Sequence, residues 1–442
     1  MEEQILDVKV EEITSVKKKF SFVIPWEDVK KELDQVYRGV GKKAKIKGFR
    51  PGKVPRPVLQ THYKEYAEGE TVQNLVNRHY REAIERERVT PVSQPEVDPK
   101  PIEPEQALLF TATVEVEPVV EPQNYTGLEL EKIQTDVTDA DLEARLLQIR
   151  EMYGTLEDIA EERELQEKDF ATIDFAGTVD GQALDELKSE NYFLEVGSHT
   201  FIPGFEEQVV GMKKGETRDI QVKFPDDYAQ AQLAGKDVRF SVSLKGIREK
   251  KLPPLDEEFV KNFEQYDSLD ALKADVRSSL AGDQKGRDEA AFQDVMVDAL
   301  LKENPFEVPM SLVERQTFYL MADMQRRMTW AGMDKQQAAE LSFSMHEKLK
   351  EQAEKIVKTM FLMRAIADKE GLTVTEEDLE AHLREMSAKF GKDVPSLRSK
   401  LEEEGSLEQV RMDLLQRKTF RFVEDKATVT IRETAATEGE GR

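Results

Sequence analysis

The period of the hydrophobic pattern changes along this chain, and that change constrains the fold more than any other feature of the sequence. The first 115 residues or so combine alternating and helical spacing, whereas residues from about 155 to 248 form short β-rich runs punctuated by glycine. After Pro253-Pro254 the spacing becomes helical and stays so to about residue 425. A chain of 442 residues is too long for one hydrophobic core, so the three patterns predict about three domains.

Alternating apolar residues predict three strands in the first segment. They run through Ile5, Val8 and Val10, through Phe20, Phe22 and Ile24, and from Leu108 to Val116. Two stripes at helical spacing lie between the second and third strands. One follows Val29, Leu33, Val36 and Tyr37, and the other follows Val72, Leu75, Val76, Tyr80, Ala83 and Ile84. This segment is therefore expected to be an α+β domain.

Helix starts are indicated by serine or threonine followed three residues later by an acidic residue or glutamine, which is the spacing of a capping box. Four pairs of this kind precede helical patterns: Thr138 with Asp141, Ser311 with Glu314, Thr375 with Asp378, and Ser406 with Gln409. The first pair predicts a connector helix, and the other three predict helices of the C-terminal region.

The expected fold class is an elongated, multidomain α+β protein with an all-α C-terminal domain. Hydrophobic residues make up 39% and charged residues 35% of the chain. A large solvent-exposed surface is therefore expected around each hydrophobic core. The expected boundaries are 1 to 115 for the α+β domain, 116 to 154 for a connector, 155 to 248 for the β-rich module, 249 to 430 for the helical domain and 431 to 442 for a disordered tail.

The charge balance and the absence of several motifs exclude whole classes of function. With 64 Lys and Arg against 89 Asp and Glu, the formal net charge of -25 should repel nucleic acid. No cysteine is present, no phosphate-binding Gly-Lys-Ser/Thr loop occurs, and the five histidines do not pair at metal-ligand spacing. No cofactor and no metal are therefore expected, and any release of a bound partner should not need ATP hydrolysis.

The start of the chain and its hydropathy predict a soluble cytoplasmic protein. Met1-Glu2-Glu3-Gln4 is acidic and no secretory apolar segment follows. No window approaches 18 uninterrupted apolar residues, so no membrane span is expected.

A basic island interrupts this acidic chain between positions 42 and 56. It contains seven cations and no acidic residue: Lys42, Lys43, Lys45, Lys47, Arg50, Lys53 and Arg56. Gly48, Pro51 and Gly52 break regular structure, so Phe49 and Arg50 should project from a turn. An exposed aromatic ring beside cations suits a partner that mixes phosphate with protein. The alternative is a surface loop that only adds solubility.

The string Gly48-Phe49-Arg50-Pro51-Gly52-Lys53 closely resembles the ribosome-docking signature of trigger factors. The resemblance implies a ribosome-binding domain that contacts a large-subunit protein, with nearby RNA, beside the exit tunnel. It assigns the contacts to Phe49, Arg50 and Lys53, with Gly48 and Gly52 shaping the turn, and Pro51 is part of the same ribosome-binding string. The resemblance extends over nearly the whole chain, since Asn304-Pro305-Phe306-Glu307-Val308-Pro309 resembles a family marker in the helical region. It also implies that the connector packs with the helical domain.

The β-rich module resembles the FK506-binding-protein fold, which implies peptidyl-prolyl isomerase activity. Rotation about a peptide bond faces a barrier of about 18 to 20 kcal/mol, and an apolar pocket can lower it without an acid, base or nucleophile. The resemblance places Leu184 and Asp185 at the pocket rim and Phe205 at its floor. The predicted site residues are Phe175, Asp185, Tyr192, Phe201, Ile202, Phe205, Tyr228 and Phe240. Taken singly, each aromatic residue is also a candidate for ordinary core packing.

The helical region is rich in methionine, which suits a surface that binds many different polypeptides. Nine of the 14 methionines fall between Met296 and Met363. The density predicts that some of them face an open concave surface with two aromatic residues. The predicted client-binding residues are Phe318, Met321, Met324, Met328 and Trp330. Ordinary core filling along the helices is the alternative.

The leading hypothesis is an ATP-independent, ribosome-associated chaperone that binds nascent and unfolded polypeptides and isomerises their X-Pro bonds. A second hypothesis is a non-catalytic holdase whose middle module only extends the client-binding surface. A third is a secreted or periplasmic foldase, which the basic loop and the missing signal segment disfavour. The family resemblance also implies monomer-dimer exchange, with a homodimer away from the ribosome.

Overall fold

The computed structural model describes residues 7–47, 49–50, 52–159, 163–179, 182–198, 200–225, 228 and 233–435. Within these ranges the side chains of Asp7, Ala183, Asp185, Phe390 and Ala435 are not described. The chain forms two compact units, one of Met1–Lys132 with Ala290–Ile431 and the other of Ile133–Glu289 with Arg432–Arg442. None of the helices in the described ranges is both long and apolar enough to cross a membrane.

The first unit opens with an antiparallel sheet covered by two helices. Its strands, in the spatial order β1-β2-β4-β3, are β1 (Asp7–Thr14), β2 (Lys17–Ile24), β3 (Glu96–Pro99) and β4 (Leu108–Glu115). The helices are α1 (Trp26–Lys43) and α2 (Arg56–Arg86). The three predicted strands are confirmed for the described residues, and the fully buried Phe20, Phe22 and Phe110 form the centre of the core. Strand β3 was not predicted, because four residues are too few to display alternation.

The C-terminal part of the first unit is helical. Its helices are the C-terminal end of α6 (Leu269–Glu303), from Ala290 on, and α7 (Met310–Trp330), α8 (Lys335–Ser344), α9 (His346–Glu370), α10 (Glu376–Phe390), α11 (Val394–Glu403) and α12 (Leu407–Lys426). The predicted capping box at Thr375 and Asp378 is confirmed. The one at Ser311 is wrong, because α7 begins after Pro309 and the backbone N–H of Ser311 donates to the carboxylate of Glu115 at 2.8 Å. Helix α12 starts after Ser406 as predicted, but the Ser406 side chain makes no capping hydrogen bond.

The segment from Asn304 to Pro309 joins the helical part of the first unit to the chain that leaves the sheet. The Asn304 side chain, 7% exposed, accepts a hydrogen bond from the backbone N–H of Gln123 at 2.7 Å and donates to the Gln123 carbonyl at 2.9 Å. Phe306 packs in a cluster with Val120 and Phe361. The segment from Asn304 to Pro309 therefore has a structural role, because it holds the helical part of the first unit against the chain that leaves the sheet.

The second unit contains the connector helix α3 (Asp139–Met152), the short helix α5 (Glu257–Val260) and the β-rich module. The predicted capping box at Thr138 is confirmed. Leu142 and Leu146 of α3 pack against Phe259 of α5 and Leu272 of α6, so the connector shares a core with the start of the helical segment.

The β-rich module is a five-stranded antiparallel sheet that packs against one short helix. Its elements are β6 (Thr155–Asp158), β7 (Phe170–Val179), β8 (Gln182–Glu195), α4 (Phe205–Val209), β9 (Thr217–Lys223) and β10 (Asp237–Lys251). The strand order is β6-β10-β7-β8, with β9 also paired to β10. The long strand β10 therefore pairs with three other strands and holds the sheet together.

Strands β5 (Glu129–Asp136) and β11 (Thr428–Ala435) form a separate two-stranded sheet. The predicted start of the disordered tail at residue 431 is wrong, since β11 continues to Ala435. The backbone groups of this polar segment are satisfied by the distant β5, which no local pattern reveals. The remaining tail residues lie outside the described part of the chain.

Candidate functional site

A cleft of about 420 Å³ opens on the β-rich module beside the segment that leads into α4. Its lining residues come from β7, β8 and β10 and from the segments before α4 and after β9. Aromatic and aliphatic side chains dominate the wall, and Glu186 is its one charged member among the described residues. The lining residues are Phe175, Glu186, Leu187, Tyr192, Thr200, Phe201, Ile202, Pro203, Phe224, Pro225, Tyr228 and Phe240.

Phe175 lies at the centre of the aromatic wall. Its ring centroid is 5.6 Å from that of Tyr192, 5.4 Å from Phe201 and 5.7 Å from Phe240, each at a steep interplanar angle. Edge-to-face pairs at these distances add attraction beyond buried area and fix the orientation of each ring. The wall is therefore a rigid, apolar surface.

Phe205 supports the cleft from below and does not line it. Its side chain is fully buried, and its ring centroid lies 4.0 Å from that of Phe201 and 5.5 Å from that of Phe240. Phe205 is the first residue of α4, whose inward face packs into the module core. Phe205 therefore lies beneath the wall residues Phe201 and Phe240, and its assignment as the floor of the pocket stays a prediction.

Gly177 allows Phe240 to reach its place in the wall. The two residues face each other across the β7-β10 pair, and a Cβ atom on Gly177 would lie 2.8 Å from both Cε1 of Phe240 and Cβ of Leu187. Only a residue without a side chain leaves room for both.

Six of the eight predicted cleft residues come together in the wall: Phe175, Tyr192, Phe201, Ile202, Tyr228 and Phe240. The side chain of Asp185 lies outside the described residues, and Leu184 packs against the core without lining the cleft. Six lining residues were not predicted: Glu186, Leu187, Thr200, Pro203, Phe224 and Pro225. They lie on the edge strand β8 or in segments outside the strands and helices, where sequence alternation does not say which face borders a cavity.

The arrangement of the cleft suits chemistry that needs exclusion of water and no proton transfer. The neighbouring Asp174 is engaged elsewhere, since it accepts a hydrogen bond from the backbone of Asn191 at 2.7 Å and pairs with Lys245 at 2.6 Å. The Lys245 ammonium holds the pKa of the Asp174 carboxyl below its usual range, and the Asn191 N–H adds to this.

The basic loop links α1 to α2 and is anchored at both ends by apolar packing. Ile46 and Val54 pack with Tyr37 and Leu59 in a small cluster between the two helices. Phe49 is 40% exposed, its backbone N–H donates to the Ile46 carbonyl at 3.1 Å, and Gly52 adopts φ +82°. Four cations are exposed and, within the described residues, have no ion-pair partner: Lys45, Lys47, Arg50 and Lys53. Gly48 and Pro51 lie outside the described residues.

Arg56, the last cation of the island, anchors the loop. Its guanidinium pairs with Asp34 at 2.8 Å and lies 3.8 Å above the ring of Tyr37, both on α1. Burial raises the pKa of the Tyr37 phenol. Arg56 thus ties the start of α2 to α1, while Phe49 and Arg50 remain exposed on the loop.

Profiles of known families match three long stretches of the chain. Residues 6–149 match the profile of "Bacterial trigger factor protein (TF)", residues 268–425 match its "C-terminus", and residues 161–245 match "FKBP-type peptidyl-prolyl cis-trans isomerase". The trigger factor of Syntrophus aciditrophicus (strain SB) is 46% identical over 441 residues, which are 100% of this chain and 99% of that protein. The chain belongs to the trigger factor family. It is a chaperone with a ribosome-binding N-terminal domain and an FKBP-type peptidyl-prolyl isomerase domain.

Two further members of the trigger factor family match with similar coverage. The trigger factor of Syntrophotalea carbinolica is 39% identical over 434 residues, covering 98% of each chain. That of Geobacter metallireducens is 37% identical over 431 residues, covering 95% of this chain and 98% of its own. Matches of this length cover the loop, the cleft and the helices together, so the family assignment does not depend on one motif.

The helical part of this trigger factor family member exposes aromatic residues rather than methionines. Of the nine methionines between Met296 and Met363, only Met310 is exposed, at 44%. Met321 is buried in the core at 8%, so its predicted place on a client surface is corrected, and Met324 and Met328 are half-buried. The methionine sulfurs and methylenes fill gaps between helices, as flexible apolar side chains do in cores.

The exposed apolar residues of this region are aromatic and aliphatic. Phe318 is 66% and Trp330 is 86% exposed, which the predicted client surface requires. Tyr319 and Phe343 were not predicted, and they are 65% and 72% exposed. Phe318 and Tyr319 border a shallow concavity of about 490 Å³ on α7 together with Arg315. Large apolar groups left in water in this number are typical of a binding surface.

Proposed function

We propose that the cleft of the β-rich module holds a prolyl residue of a client polypeptide and catalyses rotation about the preceding peptide bond. The observation that carries the proposal is the convergence of Phe175, Tyr192, Phe201 and Phe240 on one water-excluding wall. A prolyl ring packed on this wall loses water from its amide. The planar, resonance-stabilised amide is more polar than the twisted transition state, so the dry wall favours the twisted form.

A Phe201→Ala variant tests catalysis against the holdase alternative. Phe201 is preferred to Phe205 because Phe205 is fully buried and its loss would disturb the core. The matched control is Phe193→Ala, since Phe193 is 45% exposed on β8 and stacks on Phe170 outside the cleft. We expect Phe201→Ala to lower kcat/KM for a proline tetrapeptide by about tenfold or more, as loss of positioning does. Equal rates for the two variants would support the holdase.

The ribosome contact is proposed to involve Phe49, Arg50 and Lys53, on a turn shaped by Gly48, Pro51 and Gly52. Exposed cations on this loop can meet the phosphates and carboxylates of a large-subunit protein and nearby RNA at the exit tunnel. The strongly acidic remainder of the chain limits indiscriminate binding to RNA.

The docking proposal predicts that replacing Phe49, Arg50 and Lys53 together with Ala abolishes co-sedimentation with ribosomes and leaves the isomerase rate unchanged. A Lys30→Ala, Lys31→Ala double variant also removes two positive charges, from the exposed face of α1, and is the matched control. Sedimentation of the triple variant at the control level would exclude this loop as the contact. Binding through exposed charges should also weaken with added salt.

Client polypeptides are proposed to bind the exposed aromatic residues of the helical region, with Phe318, Tyr319 and Trp330 as principal contacts. Met324 and Met328 remain proposed contacts at the edge of this surface. We expect Phe318→Ala with Tyr319→Ala to weaken suppression of aggregation of an unfolded client. Val119→Ala, at a position 90% exposed outside the helices, is the control for loss of one exposed apolar group. If the double variant suppresses aggregation as well as the wild-type protein does, the proposed client-binding role of Phe318 and Tyr319 is wrong.

The remaining assignments complete the proposal. Domain boundaries at 115, 154 and 248 separate docking, connection, isomerisation and client binding. We propose cytoplasmic action without ATP and a homodimer away from the ribosome. Sedimentation velocity across a range of protein concentrations tests the dimer, because a single monomer species at all concentrations would contradict it.

A further inference from the structure

The segment between β8 and α4 supplies much of the cleft wall, although its described residues belong to no strand or helix. Thr200, Phe201, Ile202 and Pro203 all line the cleft from this segment. Among its described residues the Ser198 N–H donates to the Glu195 carbonyl at 3.3 Å, and the Phe205 N–H donates to the Ile202 carbonyl at 3.0 Å. Side-chain hydrogen bonds add to these few backbone bonds in holding the wall in position.

Glu206 provides these hydrogen bonds from inside the module. It follows Phe205 on α4 and is 4% exposed. One carboxylate oxygen, Oε2, accepts from the backbone N–H of Gly197 at 2.7 Å, and the other, Oε1, accepts from the backbone N–H of Phe201 at 3.2 Å. The Ser198 hydroxyl donates to Oε1 at 3.4 Å. The two oxygens thus bind the two ends of the loop of residues 197–201.

We propose that Glu206 is a positioning residue of the prolyl cleft, acting through the loop of residues 197–201 and without touching the substrate. The inference rests on the proposed catalysis in the cleft. Both oxygens of the Glu206 carboxyl group accept a backbone hydrogen bond, and the backbone donors at both ends of the loop lose a partner when the group is removed. Phe201 then moves away from Phe175 and Tyr192, whose ring centroids lie 5.4 and 5.6 Å from its own.

The chemistry of the carboxylate separates Glu206 from an ordinary buried polar residue. A glutamine has the same shape but only one acceptor oxygen, so its NH2 group would face one of the two backbone N–H groups. Glu206→Gln should therefore release one end of the loop, and Glu206→Ala should release both. Activity is expected to fall in that order.

The test compares Glu206→Gln and Glu206→Ala with Glu207→Gln in the full-length protein. Glu207 is the next residue of α4 and is exposed, so its variant removes the same charge from the same helix. We expect kcat/KM for a proline tetrapeptide to fall about tenfold for Glu206→Gln and up to about a hundredfold for Glu206→Ala, the range for a displaced binding wall. Glu207→Gln should stay within about twofold of wild type. Rates for Glu206→Gln that match this control would overturn the proposal.

Amide hydrogen exchange distinguishes positioning from general stability. We expect Glu206→Gln to speed exchange in residues 197–201 while β10 keeps its wild-type protection. Faster exchange throughout the module, or global unfolding, would show that Glu206 only stabilises the fold and would overturn the proposal. If Phe201→Ala impairs catalysis but Glu206→Gln does not, the positioning role of Glu206 is refuted and the proposed catalysis in the cleft stands. If neither variant impairs it, the proposed catalysis in the cleft fails.

Discussion

Replacing Gly177 with alanine should damage the cleft through a single methyl group. Gly177 does not adopt a left-handed backbone, so alanine is allowed by its dihedral angles. The obstacle is space, because the new Cβ would lie 2.8 Å from Cε1 of Phe240 and 2.8 Å from Cβ of Leu187. Carbon atoms in contact prefer about 3.5 to 4.0 Å, so each neighbour must move by roughly 0.7 Å or more. Both neighbours line the cleft.

The effect of Gly177→Ala on stability is the difference of two opposing contributions. Overpacking a well-packed core costs about 1 to 3 kcal/mol. Replacing glycine by alanine at a compatible position contributes about 0.4 to 1 kcal/mol of stability, because the unfolded chain loses freedom. The net change in the free energy of unfolding is therefore a loss of about 0 to 2.6 kcal/mol. Catalysis should suffer more, since a wall displaced by about 1 Å can lower kcat/KM by up to about a hundredfold.

The assay measures proline-peptide isomerisation and the thermal transition of the module for Gly177→Ala and for Gly246→Ala. Gly246 lies on β10 without a left-handed φ, and a Cβ added there would have no other atom within 4 Å, so it reports the backbone effect alone. We expect Gly246→Ala to keep wild-type activity and to gain about 0.4 to 1 kcal/mol of stability. Wild-type activity in Gly177→Ala would refute the idea that close packing at this glycine sets the cleft wall.

Three further predictions concern the segment from Asn304 to Pro309, the loop anchor and the distal helices. Asn304→Ala leaves the backbone of Gln123 without its two side-chain hydrogen bonds and should destabilise the first unit by about 1 to 3 kcal/mol, measured by urea denaturation. An unchanged urea midpoint would contradict the structural role of Asn304. Arg56→Lys keeps the positive charge but loses the stacking of the planar guanidinium on Tyr37, and should weaken ribosome co-sedimentation a few-fold. Wild-type binding by this variant would show that ribosome docking does not need the Arg56 anchor. Lys418 and the capping hydrogen bonds lower the pKa of Asp378 to about 2. The stabilising contribution of the Asp378 carboxylate is therefore complete above about pH 4 and is lost as the pH falls through about 2. Asp378→Asn should remove this acid-dependent part of the dependence of unfolding on pH.

Local signals in the sequence predicted several strands and helix starts correctly. Alternation located β1, β2 and β4, and the pairs Thr138 with Asp141 and Thr375 with Asp378 marked true helix starts. These signals work because a capping box and a half-buried strand each satisfy their physical requirements within a few residues. The capping box predicted at Ser311 failed because the backbone N–H of Ser311 donates to Glu115, almost two hundred residues away along the chain, and no local pattern indicates such a partner.

Burial decided the roles of individual site residues, and burial is set by the whole fold. Phe201 and Phe205 are both aromatic and four residues apart, yet the first lines the cleft and the second lies beneath it. Met321 and Phe318 belong to the same helix, yet one is in the core and the other in water. No spacing rule separates these pairs, because each outcome depends on which distant element covers that side of the helix or loop.

The sequence by itself determined the family, the order of its domains and the string that carries the basic loop, since these reside in residue identity and in patterns a few residues long. Only the tertiary structure decided that Arg56 anchors the loop instead of meeting a partner, that Gly177 makes room for Phe240, and that Glu206 holds both ends of the loop of residues 197–201. The physical reason is that hydrogen bonds and close packing act over a few ångströms in space. Such contacts join residues at any separation along the chain, from Phe201 with Glu206 to Gly177 with Phe240.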